Sequence, residues 1–501
     1  MLKAQAVQFQ KTYFDEEVDT VRRMDLRLLA IVIVAVMFAA GVGTVFAADK
    51  VQLTVAYTYN VESFLPGEDE NNNEIINYLR ENSGFDIKWI ILPPDQPWEK
   101  VNLMLASGDP PDLIYCPDKN QFGNWLHQGA LARLDEYLAD TPNLDRLVPE
   151  DTWGAVTWDG GRYAVPIPQN QRIAGTDGIF VRTDWIEELG MDRPETLDEY
   201  DQLMQRLKKE KGVIPLTAAA PSGLIEGFRG AFGIGTAYKA KDDKIVCSYI
   251  EPEAKEYLAY MNKLYKEGLL DVEFPVNKGG NVQEKMVSEQ AAMAPVGWWD
   301  ALPIDRNFKK LNPEGKLEYI KPPVGPRGEW GVANHGPVRT FLVIPAESRR
   351  IKEAVEFLEF MADPEVYNYV SFGEEGVHYY VQNGEKILTE EYENRRWQIY
   401  YTLVDTQEGF AIRLRDKGFK LYSDQVVPYC VLEHIDAYAP PLPELMDRTA
   451  ELNEVIEEYY ARFITGDLSL DRFDDFVRQW RRRGGDKVLE ELNEWYEEFA
   501  G

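Results

Sequence analysis

A chain of 501 residues, 45% hydrophobic and 28% charged, has room for two or more folded domains and excludes an intrinsically disordered protein. With 54 basic against 85 acidic residues its formal net charge is −31, which excludes bulk electrostatic binding to nucleic acid or an anionic membrane. The charge reads as a solvated acidic surface, with a cationic ligand as the alternative.

In chain order, residues 28–46 form an apolar run preceded by Arg22, Arg23 and Arg27 and ending in Val45-Phe46-Ala47. This predicts a secretory signal peptide over 1–47, cut after Ala47 or Ala48, with Met24 as an alternative start to Met1. The run is also nearly long enough for a retained anchor, and no cysteine lies near the cleavage point. Cys116, Cys247 and Cys430 form no CxxC, allow one disulfide at most and read best as three buried thiols. Residues 51–59 alternate Val51, Leu53, Val55, Tyr57 and Tyr59 on one face and predict the first strand, followed by a helix over 73–82 and a strand over 86–92. In the stretch 101–115, VNLMLASGDPPDLIY, Val101, Met104 and Leu105 recur at helical spacing after the N-cap candidate Asp95. Gly108 suits the C-cap, Pro110 and Pro111 stop the helix, and Leu113-Ile114-Tyr115 reads as a buried strand. Strand, helix, strand, helix, strand at this spacing is a doubly wound α/β pattern, in which ligands bind at the carboxyl ends of strands. That places Tyr57, Tyr59, Asn60 and the loop after Tyr115 at a candidate cleft. A Gly-rich turn and strand follow in WDGGRYAVPIP (158–168), then a polar crossover over 169–177. A strand and two helices are expected over 179–207, with Thr196 and Glu199 as a capping box. Helices over 444–465 and 471–482 complete the chain, with Leu452, Val455, Ile456, Tyr459, Tyr460 and Phe463 as core.

Several of these blocks resemble one known family. LMLASGDPPDLI (103–114) is similar to a signature of the extracellular solute-binding proteins of ABC importers, family 1, in the carbohydrate-binding branch related to alginate-binding proteins. The DGGRYAVP turn, RTDWIEELG with PETLDE, YKEGLLDVEF (265–274), FGEEGVHYYV (372–381), FITGDLSLDRFDDFV (463–477) and the terminal GGDKVLEELNEWYEEF resemble further family blocks in the same order. The resemblance implies an α/β, two-lobe periplasmic binding protein of class II type, with the ligand cleft between discontinuous lobes. Lobe one would be 50–168 plus 325–376, and lobe two 169–324 plus 377–501. It implies a periplasmic protein, exported by a cleaved signal and without a lipobox cysteine, that binds an oligosaccharide and passes it to membrane permease subunits; the alternatives are a non-sugar solute such as a peptide in the same fold, or an exported glycan-active enzyme. A monomer without cofactor, metal or nucleic-acid partner is expected.

Sugars are held by aromatic faces over their C–H patches and by polar side chains on their hydroxyls. The strongest local candidate is GWWDA (297–301), at the end of the apolar stretch 291–296. Adjacent strand residues point to opposite faces, so one of Trp298 and Trp299 should be core and the other face the cleft. Asp300 suits sugar hydroxyls or a turn cap. Gln169, Asn170, Gln171 and Arg172 lie at the expected crossover, where a ligand or plain loop polarity explains them. His335 and Arg339 precede the strand 340–344, and the relatives have a basic residue here; Arg339 suits a ligand carboxylate or hydroxyl pair, or a surface ion pair. Trp125 and Trp185 read as core, while Trp153 and Trp158 are open between core and cleft lining. Glu375, between Gly373 and Gly376, reads as part of a tight turn. HExxH, Walker A and GxSxG patterns are missing, and the four histidines, at 127, 335, 378 and 434, have no metal spacing. Where alginate-binding relatives carry an Asp/Asn-rich calcium loop, this chain reads KKEKGVIPLTA (208–218), with Glu210 as its one acidic side chain, so no calcium is expected there. Neutral oligosaccharides are slightly favoured over uronic ones.

Overall fold

The structure is a computed structural model that describes residues 50–58, 63–93, 96–169, 177–220, 223–415 and 419–500. The expected signal segment, the N-cap candidate Asp95, and the site candidates Tyr59, Asn60, Asn170, Gln171 and Arg172 lie outside the described residues.

The first sheet begins with β1 (Gln52–Tyr57), whose Leu53, Val55, Ala56 and Tyr57 are buried. Helix α1 (Glu74–Asn82) starts where Asn73 caps it by accepting from the backbone N–H groups of Ile75 and Ile76. β2 (Asp86–Ile91) pairs parallel to β1. Helix α2 (Pro97–Ala106) has Pro at its first turn and ends before Gly108, whose φ of +73° is the left-handed conformation that glycine takes most readily. Only Val101 of α2 is fully buried, while Met104 and Leu105 are half-buried. β3 (Leu113–Cys116) is buried at all four positions, as a parallel strand covered on both faces should be. Helix α3 (Lys119–His127) is capped by Asp118, and β4 (Val165–Pro168) follows the Gly-rich turn.

After the crossover, β5 (Gly178–Arg182) opens a second sheet. Helix α4 (Leu197–Arg206) carries the expected capping box between Thr196 and Glu199. β6 (Ile214–Leu216) and β7 (Ala291–Val296) pair parallel, and α5 (Trp298–Leu311) leaves directly from the end of β7. β8 (Leu317–Ile320) completes the order β8-β5-β7-β6. The chain then returns to the first sheet as β9 (Val338–Val343), which pairs antiparallel with β3 and β4 and gives the order β2-β1-β3-β9-β4. The first sheet is therefore finished by a strand that lies beyond the whole second sheet in sequence.

Residues 52–501 form one compact unit containing two large cores. Trp397, Tyr400, Tyr401, Leu403 and Val404 pack into the core of the first sheet. Helix α6 (Gln407–Leu414) and helix α7 (Phe419–Gln425) follow; their Phe410, Phe419 and Tyr422 join a smaller core with Phe180, Tyr319 and Trp298 of the second sheet and α5. The long helix α8 (Pro443–Thr465) buries Leu452, Val455, Ile456, Tyr460 and Phe463 in the second sheet's large core, with Tyr459 half-buried against it. The last expected helix runs Phe473–Trp480, and another follows over Asp486–Ala500. All three cysteines are free and buried. Among the described residues no helix is long and apolar enough to cross a membrane.

Candidate functional site

Pairing fixes which residues share an edge. In the first sheet Val338 opposes Pro168 and Phe341 opposes Cys116. The carboxyl ends of β1, β3 and β4 and the start of β9 thus lie together, bringing Tyr57, Tyr115, Gln169 and Arg339 to one edge. In the second sheet Val296 opposes Gly178 and Ile320 opposes Ile179, so Asp177, the start of α5 and the end of β8 share an edge.

Trp298 and Trp299 occupy the first turn of α5 and not a strand. Successive helical residues diverge by about 100°, so the expected split between the rings appears for a different reason. Trp298 is half-buried, edge-on to Phe410 at 6.2 Å and to Phe419 at 5.7 Å between centroids. Trp299 is 47% exposed and stands at 82° to Trp298. The two rings open on a cavity of about 690 Å³ that is also lined by Glu390, Glu393, Arg396 and Arg413.

Arg396 and Arg413 also line a second cavity of about 50 Å³, together with Tyr57, Tyr115, Arg339 and Phe410. Arg339 and Phe410 in turn line a third of about 20 Å³, with Gln169, Asp405, Thr406 and Gln407. The structure therefore links Trp298, Trp299, Tyr57, Arg339 and Gln169 through cavities with shared walls. Tyr57 is buried, its ring lies 4.2 Å from that of Tyr115, and its hydroxyl donates to the Ile399 carbonyl at 2.8 Å. The backbone N–H of Gln169 donates to the Pro337 carbonyl, which ties β4 to the approach to β9.

Asp405 holds this wall together. Its carboxylate accepts two bonds from Arg413 (2.9 and 2.6 Å), one from Nη1 of Arg339 (2.8 Å) and one from the Tyr367 hydroxyl (3.0 Å). Burial would raise its pKa, but Arg413 and then Arg339 outweigh that and hold it down at about 2. Among the described residues neither Nε nor Nη2 of Arg339 has a hydrogen-bond partner, and both are closed off from solvent. Leaving a buried donor unmade costs about 1–3 kcal/mol, more at a charged group.

Asp300 lies in the first turn of α5 and accepts from Nε2 of Gln283 at 2.8 Å; burial raises its carboxyl pKa, opposed by the Trp299 indole. Asp177 has its pKa raised to about 7 by burial first, then by Glu226 and Asp300. The Tyr319 hydroxyl, influenced by both Asp177 and Asp300, is buried without a hydrogen-bond partner among the described residues. His335 is placed apart from the linked cavities, where Val332–Ala333 pairs with the chain at Cys430–Leu432; burial and then His434 lower its pKa. Trp125, Trp153 and Trp185 are buried, and Trp158 is half-buried beside His127. Glu375 is exposed in a turn whose Gly373 and Gly376 have φ of +79° and +86°. In the stretch 208–218, Glu210 is ion-paired with Arg206, and among the described residues no group of three or more His, Cys, Asp or Glu is arranged to hold a metal.

Sequence reasoning missed Asp405, Arg413, Arg396 and Asp177. Only Arg413 had a signal: it shares a helical face with Phe410 and Leu414, where a charge needs a buried partner.

The model of the bacterial extracellular solute-binding proteins matches residues 38–368. The chain belongs to this family. Among curated relatives, this solute-binding protein is 24% identical over 445 residues to the polygalacturonan/rhamnogalacturonan-binding protein YtcQ of Bacillus subtilis, covering 83% of this chain and 86% of that protein. Among solved structures, it is similar to a solute-binding protein of Bifidobacterium longum infantis described as binding HMO (TM-score 0.71, 17% identity, 89% and 98% of the two chains). It is also similar to the calcium-free alginate-binding protein AlgQ2 (TM-score 0.63, 18% identity, 90% and 98%). At these identities the structures establish the fold, a two-lobe solute-binding protein.

Proposed function

We propose that this solute-binding protein is the exported binding component of an ABC importer that takes an oligosaccharide into the cavity beside Trp298 and Trp299 and delivers it to membrane permease subunits. The observation that carries the reading is the exposed Trp299 ring over a cavity of about 690 Å³ that Arg396, Arg413, Glu390 and Glu393 also line. An aromatic platform facing planar polar groups suits a sugar ring, which presents both C–H patches and hydroxyls. Asp300, Tyr57, Gln169 and Arg339 extend the site inward, and Tyr59, Asn60, Gln171 and Arg172 belong to the same proposed ligand-facing edges. His335, which lines none of these linked cavities, is left outside this proposed site. The lobes of this reading are residues 50–168 with 325–376 and residues 169–324 with 377–501, except that Trp397 and Tyr400 pack into the first core, which supports counting the stretch around them with lobe one. Closure of the lobes is favoured because the ligand contacts both walls only in the closed form. In this reading the protein is a periplasmic monomer with a cleaved signal, binds no nucleic acid, and performs no chemistry on its ligand. The similarity to a polygalacturonan/rhamnogalacturonan-binding protein and to an HMO-binding protein supports a sugar as the class of solute.

The test is thermal unfolding of residues 48–501 against neutral and uronic oligosaccharides. A true ligand at a thousandfold excess over its Kd stabilises the protein by about 4 kcal/mol. Trp299→Ala should weaken that ligand about tenfold while leaving the unliganded midpoint nearly unchanged, because the ring is half in solvent. Absence of any shift across the sugars, or recovery of cleaved sugar, overturns the reading.

A further inference from the structure

We infer that the ligand of this site bears a carboxylate, and that Arg339 recognises it. The inference rests on the oligosaccharide reading above and names the class of sugar: a uronic one. Of the five guanidinium N–H bonds of Arg339, the one donated to Asp405 comes from Nη1. Nε and Nη2 are the two atoms left without a hydrogen-bond partner among the described residues. Their N–H bonds form one side of the planar fork and run parallel, the geometry that takes both oxygens of a carboxylate at once. A lone hydroxyl would leave one of the pair unmade.

The surroundings select the charge. Among the described residues, the cavity of about 50 Å³ beside Arg339 is lined by Arg339, Arg396 and Arg413 and by no acidic side chain, in a chain whose net charge is −31. Asp405 pairs with Arg339 and Arg413, and Arg396 lies 3.9 Å from Glu393, so three arginines face two carboxylates and the local balance stays positive. A space of this size takes a few water-sized groups, enough for a carboxylate but not for a pyranose ring, and it adjoins the larger cavity through the shared Arg396 and Arg413. The sugar ring then lies by Trp299 and its acidic substituent reaches inward. Nε and Nη2 are closed off from solvent in this form, so the carboxylate reaches them only when the Arg339 side chain or the wall facing it moves.

The experiment is calorimetric titration of the protein with trigalacturonate and trimannuronate, with the carboxyl-reduced form of each, and with a tetrapeptide and its C-terminal amide. Arg339→Lys and Arg339→Gln are titrated alongside. The expected result is that at least one uronic trisaccharide binds ten- to hundredfold more tightly than its carboxyl-reduced form. Both variants should lose that preference, Arg339→Lys while keeping its charge beside Asp405. The comparison of acid with reduced sugar uses the unaltered protein and stands even if a variant does not fold. Equal binding of acid and reduced forms, or of a neutral form alone, overturns the carboxylate while leaving the oligosaccharide reading intact. Binding of the peptide but not its amide, lost in Arg339→Lys, supports the carboxylate edge and overturns the sugar. No binding by any of these overturns both.

Discussion

At the scale of single residues, the site is set by which charges are paired. The Asp405 carboxylate spends its acceptors on Arg413, Arg339 and Tyr367, and so orients two arginines toward the cavities. Asp177 is the opposite case, a carboxyl pushed up to about 7 from an ordinary 3.8 by burial and by neighbouring Glu226 and Asp300. Between those two values the folded protein holds a proton that the unfolded chain has released. Stability therefore falls as pH rises from about 4 to about 7, and levels above that. Unfolding in denaturant at pH 5 and pH 7.5 should show this loss in the native protein and a smaller one in Asp177→Asn. The two tryptophans were legible in the sequence as a pair at the end of an apolar strand. Asp405 and Asp177 were not, because an isolated Asp in a polar stretch looks the same whether it faces water or a buried arginine.

At the scale of elements, capping and turn chemistry were the most legible. Asn73, Thr196 and Gly108 do locally what their residue types prescribe. Contacts between elements distant in sequence were not legible. Gly123 in α3 is an example: a Cβ there would meet the Met446 side chain and lie 2.6 Å from Cβ of Pro441, near the start of α8. Helix propensity alone favours Gly123→Ala by about 1 kcal/mol. The thioether can move but the proline ring cannot, so overpacking of about 1–3 kcal/mol should win. Gly123→Ala is expected to lower the unfolding midpoint, measured by calorimetry; an unchanged or raised midpoint would show that α8 has room to shift. The same contact draws a helix beside the first sheet against one in the second sheet's core, as does the bond between His127 and the Pro441 carbonyl at 2.7 Å.

At the scale of the whole molecule, the chain crosses between its two sheets more than once, and β9 inserts between β3 and β4 after the second sheet is complete. Periodicity cannot disclose such an insertion, since each strand reads the same wherever it pairs; the two-lobe expectation came through resemblance. If ligand bridges the walls, small-angle scattering should give a smaller radius of gyration with saturating oligosaccharide than without it, and an unchanged radius would remove closure from the mechanism. The cysteines offer a practical route to watching it. All three are buried, and burial pushes Cys247 up to about 12 and Cys116 higher still, which leaves their thiols almost wholly protonated at neutral pH. A single Glu390→Cys, lining the same cavity as Trp299, would then be the preferred target of a maleimide dye. The natural tryptophan could quench that dye as the gap between them narrows, making this chain a scaffold for an optical sensor of its own ligand without removing any native thiol.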